Sequence, residues 1–284
     1  MNSVRKMTLR SGRQMPILGQ GTWLMGEDSA KRKEEIAALR LGLDLGMSLI
    51  DTAEMYGEGA AEELVAEAIA GRRAEVFLVS KVYPHNASTS GAIEACERSL
   101  RRLRTDYLDC YLLHWRGAVP FGETVEAFQR LKSSGKILDF GVSNLDVDDM
   151  TEWMTVPGGA DAVVNQVLYN LVHRGIEWDL LPWCRERDVR LMAYSPVGHG
   201  GAEKRKLLAN ATLQKIAERH DATAVQIALA WLFMRDVVAI PKASQPEHVR
   251  ENRSAADIEL TEDDFLEIDR AFPPPKGKVR LEMK

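Results

Sequence analysis

Cysteine is scarce in this chain and follows no pattern: Cys96, Cys110 and Cys184 are the only three in 284 residues, with no C-x-x-C spacing. An odd, scattered set supplies neither a disulfide framework nor a thiolate metal site, so packing roles in a reducing compartment are expected. Long apolar runs are also missing. No stretch approaches the ~20 residues that span a bilayer, and the polar segment from Met1 to Arg13 lacks a secretory core, so a cytoplasmic location without a membrane partner is expected. Positive charge is not in excess either. The formal net charge of −5 leaves no footprint for nucleic acid, and Lys31-Arg32-Lys33 and Arg101-Arg102-Leu103-Arg104 read as solvated helix faces with acidic residues in register. The six histidines show no H-x-x-x-H spacing, which argues against a metal hydrolase. Gly57-Glu58-Gly59 lacks the third glycine of a dinucleotide fingerprint and stands in the wrong place for one. Neither Tyr56 nor Tyr107 has a lysine four residues on, which excludes a Y-x-x-x-K reductase.

What is present is an ordinary globular composition, 45% apolar and 28% charged. One domain over residues 1–284 is expected, because α/β barrels of ~250 residues commonly form a single core. The organising stretch is Leu49-Ile50-Asp51-Thr52-Ala53-Glu54-Met55-Tyr56-Gly57, a buried strand that delivers an acid and a phenol to a sheet edge. Two further apolar strands follow at one-helix intervals. Val76–Ser80 ends in Lys81, and Leu108–Leu113 ends in His114. Strands separated by helices run parallel, so these four groups share one rim.

The rhythm continues along the chain. Met7–Met15 around Ser11-Gly12 reads as a small hairpin, and Ile17–Trp23 as the first barrel strand with its exit loop. Later strands end at Ser143-Asn144, Gln166, Tyr194-Ser195-Pro196 and Pro241-Lys242. Helices are expected over 30–45, 62–70, 90–103 with Ser88 or Thr89 as cap, and 123–134. An extra helix over 223–234 precedes the last strand. A C-terminal helix over 261–271 has a capping box in Thr261 and Asp264 and stops before Pro273. The count is eight strands alternating with helices: an α/β fold, the (β/α)8 TIM barrel, with an N-terminal β-hairpin and extra helices near the C-terminus.

Active sites in this fold lie at the C-terminal strand ends, where all the highlighted residues stand. Tyr56 is the candidate general acid. Lys81 is the cation available to lower its pKa, Asp51 would hold the ammonium, and His114 would donate to a substrate oxygen. Ser143, Asn144 and Gln166 suit an amide, Tyr194 a flat ring, and Lys242 with the Pro246-Glu247 helix start a phosphate. Each taken alone has a plain structural reading: a satisfied histidine, a buried ion pair, a helix cap, a core tyrosine, a surface lysine. Their joint placement at one rim overturns those readings.

With these motifs in order, and with Gly21-Thr22-Trp23, Leu112-Leu113-His114-Trp115, Gly141-Val142-Ser143-Asn144, Asn165-Gln166 and Ile240-Pro241-Lys242, the chain resembles the aldo-keto reductases over nearly its whole length. The resemblance implies a tetrad of Asp51, Tyr56, Lys81 and His114, in which Tyr56 gives the proton while hydride leaves the nicotinamide C4. It implies Ser143, Asn144 and Gln166 on the carboxamide, Tyr194 stacked on the nicotinamide, Lys242 on the 2′-phosphate of NADP, and Glu251 and Asn252 near adenine. Gly21, Thr22, Trp23, Ser195, Pro196, Val197, Ala243, Ser244 and His248 complete the cofactor set. The pattern departs at Ala243 and His248, where NADP-preferring members commonly carry Ser and Arg; Ser244 and Arg250 are the available substitutes. NADPH is therefore expected as the preferred cofactor with NADH usable.

Trp23, Trp115 and Tyr83, with Tyr56 and His114, are expected to line the substrate mouth. Gly198-His199-Gly200-Gly201, with Lys204 to Lys206, reads either as a loop closing over the pyrophosphate, as in relatives, or as a plain flexible loop. A short loop after His114 and a short tail after Pro275 imply a shallow pocket for small aldehydes or ketoaldehydes, similar to bacterial members that reduce methylglyoxal. A monomer is expected. The rival reading is a cofactor-bound subunit that senses redox state or regulates a partner with little turnover.

Overall fold

The computed structural model describes residues 3–284. Eight parallel strands form one sheet in sequence order: β3 (Gly19–Gly21), β4 (Leu49–Asp51), β5 (Phe77–Val82), β6 (Leu108–Leu113), β7 (Ile137–Ser143), β8 (Val164–Leu168), β9 (Arg190–Tyr194) and β10 (Val238–Ala239). A parallel bridge between Leu18 and Ala239, with the Ala239 amide donating to Ile17, joins the first strand to the last. The result is the (β/α)8 barrel.

The hairpin β1 (Lys6–Thr8) and β2 (Gln14–Pro16) lies apart from that sheet, in antiparallel register Lys6 to Pro16. Gly12 turns it with φ 84°. Leu9 and Met15 are buried, Ser11 Oγ donates to Asp139 and Arg13 pairs with Asp109. Those aspartates sit early in β7 and β6, so the hairpin covers the N-terminal end of the barrel and leaves the other end open.

Helices α1 (Arg32–Asp44), α2 (Ala60–Ala68), α3 (Thr89–Leu103), α4 (Phe121–Ser133), α5 (Val147–Thr155) and α6 (Leu180–Glu186) cross between strands. Their starts follow local chemistry. Ser88, rather than Thr89, caps α3 by accepting from the Gly91 amide, and Asp146 caps α5 through the amides of Asp148 and Asp149. Helix α4 begins two residues earlier than its pattern suggested, because Pro120 precedes the first turn. Gly42 is needed where α1 crosses β3: a Cβ there would stand 2.0 Å from the Gln20 amide, which is itself tied to the carbonyls of Leu39 and Met47.

Between β9 and β10 the chain forms α7 (Gly200–Leu208), α8 (Ala211–Arg219) and α9 (Ala224–Phe233). The first of these corrects the expectation of a loop: Gly200, Gly201 and Lys204 to Lys206 are helical, with only Gly198 and His199 left in the connection. Helix α9 is buried along its length and has a full Thr223–Gln226 capping box. An all-round apolar helix belongs inside a core, which is why no solvated stripe marked its face. Helices α10 (Pro246–Ser254) and α11 (Glu262–Ala271) complete the ring, the latter with the expected Thr261–Asp264 box. All three cysteines are buried, as packing residues should be. Among the described residues, no helix is long and apolar enough to cross a membrane.

Candidate active site

The open end of the barrel carries a cleft lined by residues from seven of the eight strand ends, and the four proposed acid-base residues meet at its floor. Asp51 is the last residue of β4, Lys81 lies in β5 and His114 follows β6. Tyr56 sits in a tight turn after β4, in which Gly57 and Glu58 adopt left-handed backbone, φ 55° and 53°. The β4–β5 ladder continues past the strand, Thr52 to Val79 and Glu54 to Lys81, and this fixes where that turn begins.

Lys81 is fully buried, and its ammonium spends all three protons: on Asp51 Oδ2 at 2.7 Å, the Thr52 carbonyl at 2.8 Å and Tyr56 Oη at 3.2 Å. An ammonium has no lone pair, so the phenol oxygen is the acceptor in the last contact. The phenol's own proton is left free to point into the cleft.

The electrostatics differ in one respect from the sequence reading. The Tyr56 phenol is raised above its ordinary 10.0, because burial outweighs the attraction of phenolate to Lys81, and the charge of Asp51 acts in the same direction as burial. The cation opposes the rise without reversing it. Burial also presses on the Lys81 ammonium, but Asp51 and Tyr56 together hold it raised. His114 is pushed down to about 2, first by burial and then by Lys81. Its imidazole is neutral at physiological pH and carries one ring N–H; Nδ1 is buried without a partner and Nε2 has no hydrogen bond among the described residues, so a ligand in the cleft meets the ring at Nε2.

The opposite wall comes from β7, β8 and β9. Ser143 Oγ donates to the Gln166 carbonyl at 2.8 Å, and the Asn144 amide to the same oxygen at 2.9 Å. Asn144 takes a left-handed backbone, φ 57°, which asparagine tolerates. Its Nδ2 reaches the His114 carbonyl at 3.1 Å and its Oδ1 accepts from Tyr194 Oη at 2.9 Å. Gln166 donates from Nε2 to Asp51 Oδ1 at 2.7 Å, across the barrel. Asn165 turns away, donating to the Leu145 carbonyl.

Most of the residues anticipated for this region line the cleft: Gly21, Thr22, Trp23, Asp51, Tyr56, His114, Trp115, Ser143, Asn144, Gln166, Tyr194, Ser195, Pro196, Val197 and Lys242. Gly21 fits only as glycine, since a Cβ would stand 2.7 Å from the Ile240 carbonyl. Ala243, Ser244, His248, Glu251 and Asn252 continue outward from Lys242 along the next loop and α10. Lys242 is exposed and touches Ser244 at 3.4 Å, His248 is exposed, and Glu251 is tied to Thr223 Oγ1 at 2.7 Å.

Two expectations change. Tyr83 does not line the cleft; it stands behind Trp115, with ring centroids 5.7 Å apart, and its amide is held by Glu54 at 2.8 Å. The mouth is also less open than a short tail implied. The chain after Pro275 runs back to the rim, where Met283 and Lys284 line the cleft. The Lys284 amide donates to Tyr194 Oη at 3.3 Å, its ammonium meets Glu203 at 2.9 Å, and His173 touches both Glu203 and Glu282. This clasp joins the tail, α7 and the loop after β8. No local pattern marks it, because its partners are brought together only by closure of the barrel.

The arrangement fits a nicotinamide dinucleotide: a floor with a free phenolic proton, an unpartnered amide oxygen at Gln166 on the facing wall, a ring platform at Tyr194 and an exposed cation at Lys242. Comparison with known proteins agrees. Residues 17–272 match the aldo/keto reductase family. The chain is 53% identical over 270 residues to methylglyoxal reductase YeaE of Escherichia coli K12, covering 95% of each, and 33% identical to a glyoxal reductase of Bacillus subtilis, covering 92% of this chain and 90% of that one. A crystal structure of an aldo-keto reductase from Klebsiella pneumoniae in complex with NADPH superposes with a TM-score of 0.96 at 47% identity, covering 100% of both chains. A second from that organism, with NADP and acetate, gives 0.95 at 48% identity over 98% and 99%. The chain belongs to the aldo/keto reductase family.

Proposed function

We propose that this protein is an NADPH-dependent reductase of small aldehydes and ketoaldehydes, of the methylglyoxal type, acting as one barrel domain over residues 1–284. The observation that carries the reading is Lys81 donating to Tyr56 Oη at 3.2 Å while the phenolic proton stays uncommitted in a cleft that Ser143, Asn144 and Gln166 line on the facing side. Bound reduced cofactor supplies the hydride. Everything else is the work of this chain. Tyr56 delivers the proton to the carbonyl oxygen as charge develops there, Lys81 stabilises the phenolate left behind, and Asp51 holds Lys81. Neutral His114 donates to the same oxygen and orients it. A positioned acid of this kind contributes on the order of 10² to 10⁴ in rate.

Substrate size follows from the walls. Trp23, Trp115 and the tail residue Met283 leave an apolar mouth suited to a short chain, in keeping with the names of the relatives. We place the protein in the cytoplasm as a monomer without a nucleic-acid partner. The test is NADPH oxidation over short aldehydes, ketoaldehydes, aromatic aldehydes and sugars, with Tyr56→Phe as control. Turnover strongest on the short dicarbonyls supports the reading. NADPH bound with no turnover on any carbonyl overturns it in favour of a sensing or regulatory subunit.

A further inference from the structure

The hydrogen bond from Gln166 Nε2 to Asp51 Oδ1, 2.7 Å long, joins two residues 115 positions apart and on opposite walls of the barrel. Both side chains are buried, each 1% exposed. Asp51 has its other oxygen on Lys81 Nζ. The remaining proton of the Gln166 amide points at Met192 Sδ, 2.9 Å away, a weak acceptor. Gln166 lines the cleft, and its Oε1 has no hydrogen-bond partner among the described residues.

We propose that Asp51 sets the hydrogen-bonding polarity of Gln166, so that the pair selects a dinucleotide whose pyridine ring carries an amide and rejects one carrying a carboxylate. The inference rests on the reading of the cleft as a pyridine-nucleotide site. A side-chain amide can ordinarily turn over and present either end. Here it cannot. A turned amide would put Oε1 against the Asp51 carboxylate, two acceptors at hydrogen-bond distance with no proton between them. The carboxylate cannot move away, since Lys81 and the closed β4–β5 ladder hold it. Gln166 therefore shows the cleft an acceptor, which calls for an N–H donor on the ligand. Ser143 Oγ and the Asn144 amide both donate to the Gln166 carbonyl, so the main chain that carries this side chain is held as well. Asp51 thus acts twice: it orients the ammonium beside the acid, and it positions the amide that reads the cofactor's own amide.

The test measures binding and needs no turnover. Quenching of tryptophan fluorescence, with Trp23 and Trp115 in the cleft wall, gives Kd for NADP and for nicotinic acid adenine dinucleotide phosphate. The proteins are wild type, Gln166→Met, Asp51→Asn and the double variant. Wild type is expected to prefer the amide by about tenfold or more, the scale of leaving one buried polar group unpaired. Gln166→Met and Asp51→Asn are each expected to cut that ratio to about threefold or less, and the double variant to add nothing further. If Asp51→Asn alone is unstable, combining it with Lys81→Met removes both charges and puts the same question.

Three results overturn the proposal: a wild type indifferent to the two dinucleotides; Gln166→Met keeping the wild-type ratio, which would mean that the bare charge of Asp51 does the selecting; and Asp51→Asn keeping it while Gln166→Met loses it, which would mean that Gln166 needs no orienting partner. Failure of wild type to bind either dinucleotide would remove the cofactor reading itself, and this inference with it.

Discussion

Lys81 donates to Tyr56 and to Asp51 from one buried ammonium, so the acid of this site and its orienting carboxylate share a single cation. Removing that cation leaves Asp51 buried against Gln166 with no counter-charge. Lys81→Met is expected to lower stability by about 3–5 kcal/mol, the cost typical of orphaning a buried charge. Asp51→Asn combined with Lys81→Met should regain much of it. Chemical denaturation of the two variants and wild type measures both; Lys81→Met as stable as wild type would contradict the pairing.

Tyr56→Phe keeps the ring that packs edge-on against Trp23 at 4.9 Å and removes only the hydroxyl. Carbonyl reduction should fall by on the order of 10² to 10⁴, while the Kd for NADPH stays close to wild type. Stopped-flow hydride transfer and fluorescence titration separate the two. Equal losses in binding and rate would point to a structural role for the phenol.

The pH profile of reduction follows from two directions of shift. His114 stays neutral down to about 2, so no limb should appear near the ordinary histidine value of 6.5. Tyr56 is reactive when protonated and its pKa is raised above 10.0, so the only alkaline loss assignable to it lies above that value. kcat/KM measured from pH 5 to 9 should be flat. A limb near 6.5 would mean that His114 ionises in the working enzyme.

Lys242 is an exposed cation in the lining of the cleft. Lys242→Ala should weaken NADPH binding about tenfold, the scale of one charge-assisted contact, and leave NADH binding nearly unchanged. His248→Arg should sharpen the preference for NADPH. Identical Kd changes for the two cofactors would show that Lys242 does not meet a phosphate.

Glu203 holds the tail to α7. Its burial would raise the carboxyl, but the His199 amide, Lys284 and His173 hold it down to about 2. A carboxylate depressed in the folded state stabilises the docked tail above its ordinary 4.5, and that contribution is lost as pH falls towards about 2. Glu203→Ala should free the tail at neutral pH, admit bulkier aldehydes and raise their kcat/KM relative to methylglyoxal. Hydrogen exchange over 276–284 should rise in the variant; unchanged protection would mean that other contacts hold the tail.

Much of this was legible in the chain. Helix starts were readable wherever a capping side chain stood next to an apolar stripe, as at Ser88 and Thr261, and Asp51, Lys81 and His114 were readable because each closes a short apolar strand. Helix α7 was not. Glycines at 198, 200 and 201 suggest a loop, and the basic run Lys204 to Lys206 masks its single buried residue, Leu207.

The sequence by itself determined the strand rhythm, and with it which residues arrive at one rim, because local periodicity and turn chemistry act over a few residues. Tertiary structure alone decided that Gln166 would reach Asp51 across the barrel, that Lys284 would return to Tyr194, and that burial would lift the Tyr56 phenol despite its neighbouring ammonium. Those outcomes depend on distances across a closed interior and on how much water is excluded from it, and neither quantity is carried by any single stretch of chain.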